Sequence, residues 1–249
     1  MKAIVIAAGE GSRMGKLTKN IPKPLVLING KSIIERQLSI LKQNGILDII
    51  IITGPHHEKF NFKNVVYVND LDYKKHDTLA SLMIARDYMN DEIIITYADQ
   101  IFDEKIMESI NNFLGDIGIA VDLDWEKNYV NRDQHPKSEA ENVLINGNEI
   151  LEIRKNISEC KKNEKIGECL GLMKLSRKGS KIFLDKYSEL EISHQGKFHN
   201  ASSLKQSIIS DMIQELIDSE INVEPIYVSG KWCEIDTPQD LEIARKLLS

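Results

Sequence analysis

Apolar residues along the chain fall into two patterns: short unbroken runs, and longer stretches that repeat them every three or four positions. Lys2-Ala-Ile-Val-Ile-Ala7 is a run of the first kind, β-branched and followed by glycine, as expected of a strand buried on both faces. Asp48–Thr53, Val65–Val68 and Glu92–Tyr97 repeat that signature. From Ser32 to Asn44 the apolar residues Ile33, Ile34, Leu38 and Leu41 share one helical face, and the pattern stops before Gly45. Leu79, Leu82, Met83, Ala85 and Arg86 form a second helical stretch. Strands alternating with helices predict an α/β fold: a Rossmann-like, mostly parallel mixed sheet flanked by helices.

Beyond Asp103 a helix to Leu114 and a strand from Ile117 to Leu123 continue the scheme. Residues 124 to 140 are polar and irregular, the composition of a lid or substrate loop. Asn146-Gly147-Asn148 separates Val143-Leu-Ile145 from Glu149–Ile153 and predicts a hairpin turn. A strand at Cys169–Leu175, helices near Ser176–Glu189 and Leu204–Asp218, a strand at Val223–Val228 and a helix from Pro238 complete the reading. There is no internal repeat and no long linker. We expect one domain over 1–249, with about 124–165 as a lid and hairpin insertion that contributes to the substrate site.

A chain of 249 residues, 42% hydrophobic and 28% charged, can bury a full core and is not disordered. Thirty-two basic against 38 acidic residues leave a formal charge of -6, which argues against a nucleic-acid-binding protein but leaves room for a local site that takes a small anion. Cys160, Cys169 and Cys233 are odd in number and lack C-x-x-C spacing, so neither a disulfide framework nor structural zinc is expected, and a cytoplasmic setting fits. The apolar stretch Ala3–Ala8 is too short to span a bilayer and runs into Gly9-Glu10-Gly11 where a leader would carry a cleavage site. Met1 is therefore expected to open a folded strand, with no membrane partner. Monomer and homodimer are equally compatible with the sequence.

The most informative segment is Ala7-Ala-Gly-Glu-Gly-Ser-Arg-Met14, with Pro22-Lys23-Pro24 behind it. A strand ending in closely spaced glycines exposes backbone N–H groups to a triphosphate because no Cβ blocks the approach, and Arg13 and Lys23 add positive charge. Two better-known phosphate loops fail by counting. Met14 stands where the dinucleotide fingerprint needs its third glycine, and Gly9 and Gly15 enclose five residues where the Walker loop has four. Asp99 follows one apolar strand and Asp236 follows Trp232-Cys-Glu-Ile235, so both carboxylates lie beyond strand ends, where open α/β sheets bind ligands. Together they would suit Mg2+, which takes a few protein oxygens and completes its shell with phosphate and water. The competing reading is that Asp236 only caps the helix that starts near Pro238. His56-His57 lies in a loop without partner spacing and reads as surface.

With these residues assembled, the chain resembles the nucleotidyltransferase superfamily that includes sugar-phosphate and phosphocholine nucleotidyltransferases. The head segment is similar to that family's Ala-Ala-Gly-x-Gly-Ser/Thr-Arg-Met signature with its downstream Lys-Pro, and Asp99 and Asp236 stand where the family carries two metal-binding aspartates. The resemblance spans nearly the whole chain and implies a nucleotide-diphospho-sugar transferase-like fold. Finer features resemble the branch that acts on small phosphorylated amines, the phosphocholine and aminoethylphosphonate cytidylyltransferases. These are Asp122-x-Asp-Trp125 with Tyr129 and Arg132, Ala140-Glu141, Ile153-Arg-Lys155, Glu168-Cys-Leu-Gly171 and Trp232-Cys-Glu-Ile-Asp236. Asn131 and Cys169 depart from that branch, which carries glycine at the first position and tyrosine or another larger residue at the second.

The resemblance implies CTP as nucleotide donor, a small phosphorylated amine or amino acid as acceptor, pyrophosphate release, and use of the product in capsule or surface-polysaccharide modification. It assigns Arg13 to the β/γ-phosphates, Lys23 to the α-phosphate, and Mg2+ to Asp99 and Asp236. Nucleotide contacts would come from Ala7, Ala8, Gly9, Gly11, Ser12, Gly54, Thr78, Ser81 and Ala98. Lys155 is the candidate for the incoming phosphate, against its reading as an exposed lysine at a strand end. Trp125, Tyr129, Arg132, Glu168 and Trp232 are candidates for the acceptor's amine end, against the reading of such aromatics as core. A phosphate monoester has its second pKa near ~6, so the nucleophile is already ionised and no strong general base is needed. Three rivals stand beside this reading. They are a sugar-1-phosphate nucleotidyltransferase, a catalytically silent nucleotide-binding domain, and a glycosyltransferase using Asp122-x-Asp124 as its metal motif.

Overall fold

The structure is a computed structural model that describes residues 1–248. In chain order its strands and helices are β1 (Lys2–Ala7), β2 (Leu27–Ile28), β3 (Lys31–Ser32), α1 (Ile33–Gln43), β4 (Asp48–Thr53), β5 (Val66–Asn69), α2 (Thr78–Ile84), β6 (Ile93–Tyr97), β7 (Gln100–Phe102) and α3 (Glu104–Asn112). They continue as β8 (Ile117–Asp122), β9 (Glu141–Asn146), β10 (Glu149–Lys155), β11 (Glu164–Leu175), α4 (Arg177–Ser193), α5 (Ile209–Asp218), β12 (Glu224–Tyr227), β13 (Trp232–Glu234) and α6 (Pro238–Leu247).

One nine-stranded sheet carries the order β10-β9-β11-β6-β1-β4-β5, with β8 and β12 joined to it through β11. β1 runs parallel to both β4 and β6, with Ile4 opposite Ile50 and Ile95, while β11 is antiparallel to β6, β8 and β9. The expected mostly parallel mixed sheet flanked by helices is the observed one. The unbroken apolar runs have a direct cause: successive side chains of β1 enter different layers. Ile4 and Ile6 pack toward α2, α4 and α5 with Leu82, Phe183 and Met212, whereas Ala3, Val5 and Ala7 pack toward α1 and α3 with Leu38, Leu41 and Ile106. α1 begins where Ser32 accepts the Glu35 N–H at 3.3 Å and Glu35 returns to the Ser32 N–H at 2.6 Å, a reciprocal cap worth about 1 kcal/mol.

Two boundaries differ most from the expectation. β11 starts at Glu164 and not Cys169, because its polar first half, Glu164–Glu168, pairs with β9; the hairpin β9–β10 is thereby continuous with the main sheet. α5 starts at Ile209 and not Leu204, since the Ser207 carbonyl accepts from Leu79 at 3.2 Å and the Asp211 carboxylate takes the Ile208 N–H at 3.0 Å, opening the helix there. A two-stranded antiparallel ladder sets Glu234 of β13 opposite Gln100 of β7, and the Ile235 N–H donates to the Asp99 carbonyl at 2.9 Å. That ladder brings two distant strand ends to one place. No helix among the described residues is long and apolar enough to cross a membrane.

Candidate active site

β1 delivers the chain into the loop after Ala7, at the C-terminal edge of the parallel strands. Gly11 there has φ 62° and a Cβ on it would sit 2.8 Å from Lys23 Cβ, so the position requires glycine on two counts. A Cβ on Gly9 would meet nothing within 4 Å, so its lack of side chain answers no packing demand of the protein and leaves the cleft open. The Thr18 hydroxyl donates to the Gly11 carbonyl at 2.8 Å and ties the loop down.

Lys23 reaches from behind this loop between two carboxylates: its Nζ lies 2.8 Å from Asp99 Oδ2 and 2.6 Å from Asp236 Oδ1. Arg13 Nη2 lies 2.7 Å from the other oxygen, Asp236 Oδ2. The Asp236 side chain is 3% exposed and that of Lys23 12%, whereas Arg13 is 56% exposed and reaches in from solvent. Burial works against the charge on Lys23, but Asp99 and Asp236 outweigh it and raise the ammonium pKa. Burial likewise opposes ionisation of Asp236, and Lys23 with Arg13 overcomes it and holds the carboxyl below its ordinary range. Glu234, two residues back on the same edge, is driven well above the carboxylate range by burial and then by the charges of Asp236 and Asp99.

The capping alternative for Asp236 is overturned. Thr237 is the N-cap of α6, accepting the Asp240 N–H at 3.3 Å, and Asp240 Oδ2 takes the Asp236 and Thr237 N–H groups at 3.1 and 2.8 Å. The Asp236 carboxylate is left facing Lys23 and Arg13. Asp99 Oδ1 is buried and has no hydrogen-bond partner, and with the ionised Asp236 it forms an oxygen donor pair of the kind a hard divalent cation takes. His135, Glu234 and Asp236 also offer one ligand atom each within 4.8 Å of one another. Both sets lie beside positive charge, Lys23 and Arg13 at the first and Arg132, 3.1 Å from His135 Nδ1, at the second; the Asp99–Asp236 pair suits magnesium better because it offers hard oxygen donors alone.

Two adjoining chambers open here. The first, about 250 Å³, is lined by Ala7, Gly9, Gly11, Ser12, Arg13, Lys23, Thr78, Ala98, Asp99 and Asp236 among others. The second, about 270 Å³, shares Arg13, Thr78, Tyr97, Asp99 and Asp236 with it and extends to Glu139, Glu141, Lys155, Glu168, Cys169 and Glu234. Ala8, Gly54 and Ser81 lie outside both linings. Ala8 is buried, a Cβ on Gly54 would fall 2.2 Å from the Ala8 carbonyl oxygen, and the Ser81 hydroxyl donates to buried Asp70 at 2.6 Å. Gly54 is thus a close-packing glycine between β4 and the loop.

Of the residues expected at the acceptor's amine end, the structure brings only Glu168 to the second chamber, with Lys155 near it and 2.7 Å from Glu139. Trp125 and Tyr129 pack edge-to-face with Ala140 in a small buried cluster, and Trp125 lines a separate cavity of about 810 Å³. Arg132 is buried against Asp240 at 2.7 Å and the Glu234 carbonyl at 2.8 Å, so it braces the loop that carries Asp236. Trp232 is buried in the α1/α3-side core and donates through Nε1 to Asp122 Oδ2 at 2.8 Å. Since Asp122 Oδ1 accepts the Asp124 N–H at 2.8 Å and Asp124 turns outward to Lys127, Asp122-x-Asp124 is not the exposed metal motif of a glycosyltransferase. Sequence reasoning missed Glu234 and His135. The i, i+2 spacing of Glu234 and Asp236 along a strand was a signal for the first; nothing in the irregular loop marked the second.

The chain is similar to known proteins in sequence and in fold. Residues 3–124 match the MobA-like NTP transferase domain family. The chain is 27% identical over 256 residues, 98% of each protein, to the CTP:phosphoglutamine cytidylyltransferase of Campylobacter jejuni. It is 37% identical over 107 residues to the choline-phosphate cytidylyltransferase of Streptococcus pneumoniae, a match over 41% of this chain and 46% of that one. Its fold superposes on a solved CTP:phosphocholine cytidylyltransferase from Streptococcus pneumoniae with a TM-score of 0.76 at 24% identity, covering 100% of this chain and 99% of the other.

Proposed function

We propose that this chain, whose residues 3–124 match the MobA-like NTP transferase domain, is a nucleotidyltransferase that carries out magnesium-dependent transfer of CMP from CTP to a small phosphorylated amine or amino acid, with phosphoglutamine the leading acceptor. An acceptor phosphate oxygen attacks the α-phosphorus, a P–O–P bond forms, the α–β bridging bond breaks, and pyrophosphate leaves with the electron pair. The observation that carries this reading is the meeting of Lys23, Arg13, Asp99 and Asp236 beside the open glycine loop.

In this scheme the backbone N–H groups around Gly9 and Gly11 receive the triphosphate, and Arg13, reaching in from solvent, draws the β/γ-phosphates. Lys23 leaves its carboxylates for the α-phosphate, where a fixed positive charge stabilises the transition state. Asp99 and Asp236 would hold the magnesium ion, which when bound supplies charge neutralisation between two anionic reactants. Lys155, released from Glu139, would take the incoming phosphate. The ionised acceptor needs no proton removed, in keeping with a site built of charges and lacking a Ser/His pair. The acidic second chamber favours an amine-bearing acceptor over a sugar 1-phosphate. A role in capsule or other surface-polysaccharide modification and a cytoplasmic setting complete the proposal; the three free cysteines support the latter.

Pyrophosphate release tests it, with CTP, UTP, ATP and GTP each offered against phosphoglutamine, phosphocholine, aminoethylphosphonate and glucose 1-phosphate. CTP with an amine-bearing acceptor is the expected pair. Faster turnover of UTP with glucose 1-phosphate would reject the cytidylyl reading.

A further inference from the structure

The second chamber contains a carboxylate without a counterpart. Glu168 is 3% exposed, its Oε1 accepts the Tyr129 hydroxyl, and its Oε2 is buried with no hydrogen-bond partner. A buried acceptor left unsatisfied costs roughly 1–3 kcal/mol, more where charge is involved, and one that borders a cavity is placed where a bound donor can complete it. The charged groups near Glu168 do not serve. Arg132 is committed to Asp240 and the Glu234 carbonyl, Asp122 to Trp232 and the Asp124 N–H, and Glu141 bears the same sign. Burial pushes the Glu168 carboxyl up to about 8, the mark of a site short of a cation. Glu141, which accepts the Ser210 hydroxyl, lines the same chamber, and burial raises its carboxyl as well.

We propose that Glu168 and Glu141 form an ammonium subsite, with Glu168 Oε2 accepting an N–H from a primary ammonium group on the acceptor, whose phosphate end lies toward the cations of the chamber, Lys155 and Arg13. This rests on the cytidylyl-transfer reading and specifies its substrate class. A quaternary ammonium has no N–H to offer Oε2 and is held by aromatic faces. Trp125, Tyr129 and Trp232 do not line the chamber, whose rings are those of Tyr97 and His135. The chamber therefore selects hydrogen-bond donors, so phosphoethanolamine outranks phosphocholine although the two differ only in methylation of the nitrogen.

The test compares those two acceptors with ethyl phosphate, which lacks the cation, in wild type and in Glu168→Gln and Glu141→Gln, reading kcat/KM by pyrophosphate release and affinity by calorimetry. Wild type should favour phosphoethanolamine over phosphocholine about tenfold or more. Glu168→Gln should lower kcat/KM for phosphoethanolamine about tenfold to a hundredfold, the range of a hydrogen bond to a charged group, through KM and with CTP affinity unchanged. A folded Glu168→Gln enzyme with the wild-type ratio, or a wild type that uses phosphocholine equally well, overturns the subsite. Were CTP to yield no pyrophosphate with any acceptor, the transfer reading would fall and calorimetry would judge the subsite alone. Phosphoethanolamine binding lost in Glu168→Gln keeps it, and equal affinity for the two amines overturns it.

Discussion

Replacing Lys23 by methionine isolates the charge that holds the centre of the site together. The side chain keeps its length and apolar stem while the ammonium, 2.8 Å from Asp99 and 2.6 Å from Asp236, is removed. Asp236 then keeps Arg13, whose guanidinium is more than half exposed and screened by water, together with His135 at 3.7 Å and the Glu234 carboxyl. Removing one partner of a buried pair typically costs ~3–5 kcal/mol, and the 20% exposure of the Asp99 side chain argues for the lower end. In a chain of this size about 3 kcal/mol corresponds to a fall in Tm of roughly 6–12 °C. Thermal melts followed by circular dichroism, without nucleotide and with chelator, should show that fall. Millimolar magnesium should then restore more Tm to the variant than it adds to wild type, because a cation gains a carboxylate pair that no lysine contests. In the transfer assay the same variant should lose about a hundredfold in kcat, the cost of removing one donor aimed at developing charge. A variant melting within about 2 °C of wild type, or one that magnesium stabilises no more than wild type, would refute the view that Lys23 and a cation share one charge-balancing place.

Asp236→Asn should abolish magnesium-dependent turnover, whereas Thr237→Ala should cost about 1 kcal/mol in urea melts and leave turnover in place, since Thr237 and not Asp236 caps α6. Glu168 has a folded pKa raised above its ordinary 4.5 to about 8, so the folded state holds a proton the unfolded chain has released; stability should decline as pH rises across that window. Parallel urea melts should show the decline flattened in Glu168→Gln, and identical pH profiles would reject the assignment. Gly11→Ala should lower both Tm and activity, because its φ of 62° disfavours a Cβ and that Cβ would press on Lys23, while Gly9→Ala should melt like wild type and weaken only CTP binding measured by calorimetry.

β1, β4 and β6 were legible in the sequence because burial on both faces leaves an unbroken apolar signature that few other environments produce. The glycine loop, Arg13 and Lys23 were legible because their residue types carry the chemistry themselves. The convergence of Asp99 and Asp236 is a different matter: it depends on β7 and β13, three residues each, too short to show a period, and on a register that pairs Glu234 with Gln100. Trp125, Tyr129 and Trp232 show why the lining of the second chamber was hard to read. An aromatic residue fills a core and lines a pocket with the same side chain, and only the partners found for Trp232 Nε1 and the Tyr129 hydroxyl separate the two. Glu168 entered through resemblance, but its unmatched oxygen is a property of packing that no pattern along the chain reveals.

The ladder between β7 and β13 also sets a clock. Arg13 and Asp236 meet across 223 positions of sequence, so a ribosome that has already made the glycine loop, Lys23 and Asp99 has most of its translation ahead before the fourth charge exists. Throughout that interval the nascent chain carries the glycine loop and one carboxylate of the pair. Contacts of such long sequence separation are also among the slowest to form once the residues are available. On the proposed roles of these four residues, the emerging polypeptide should stay silent toward nucleotide chemistry until the three-residue strand at 232–234 finds its partner, and a chain stopped before it should be inert.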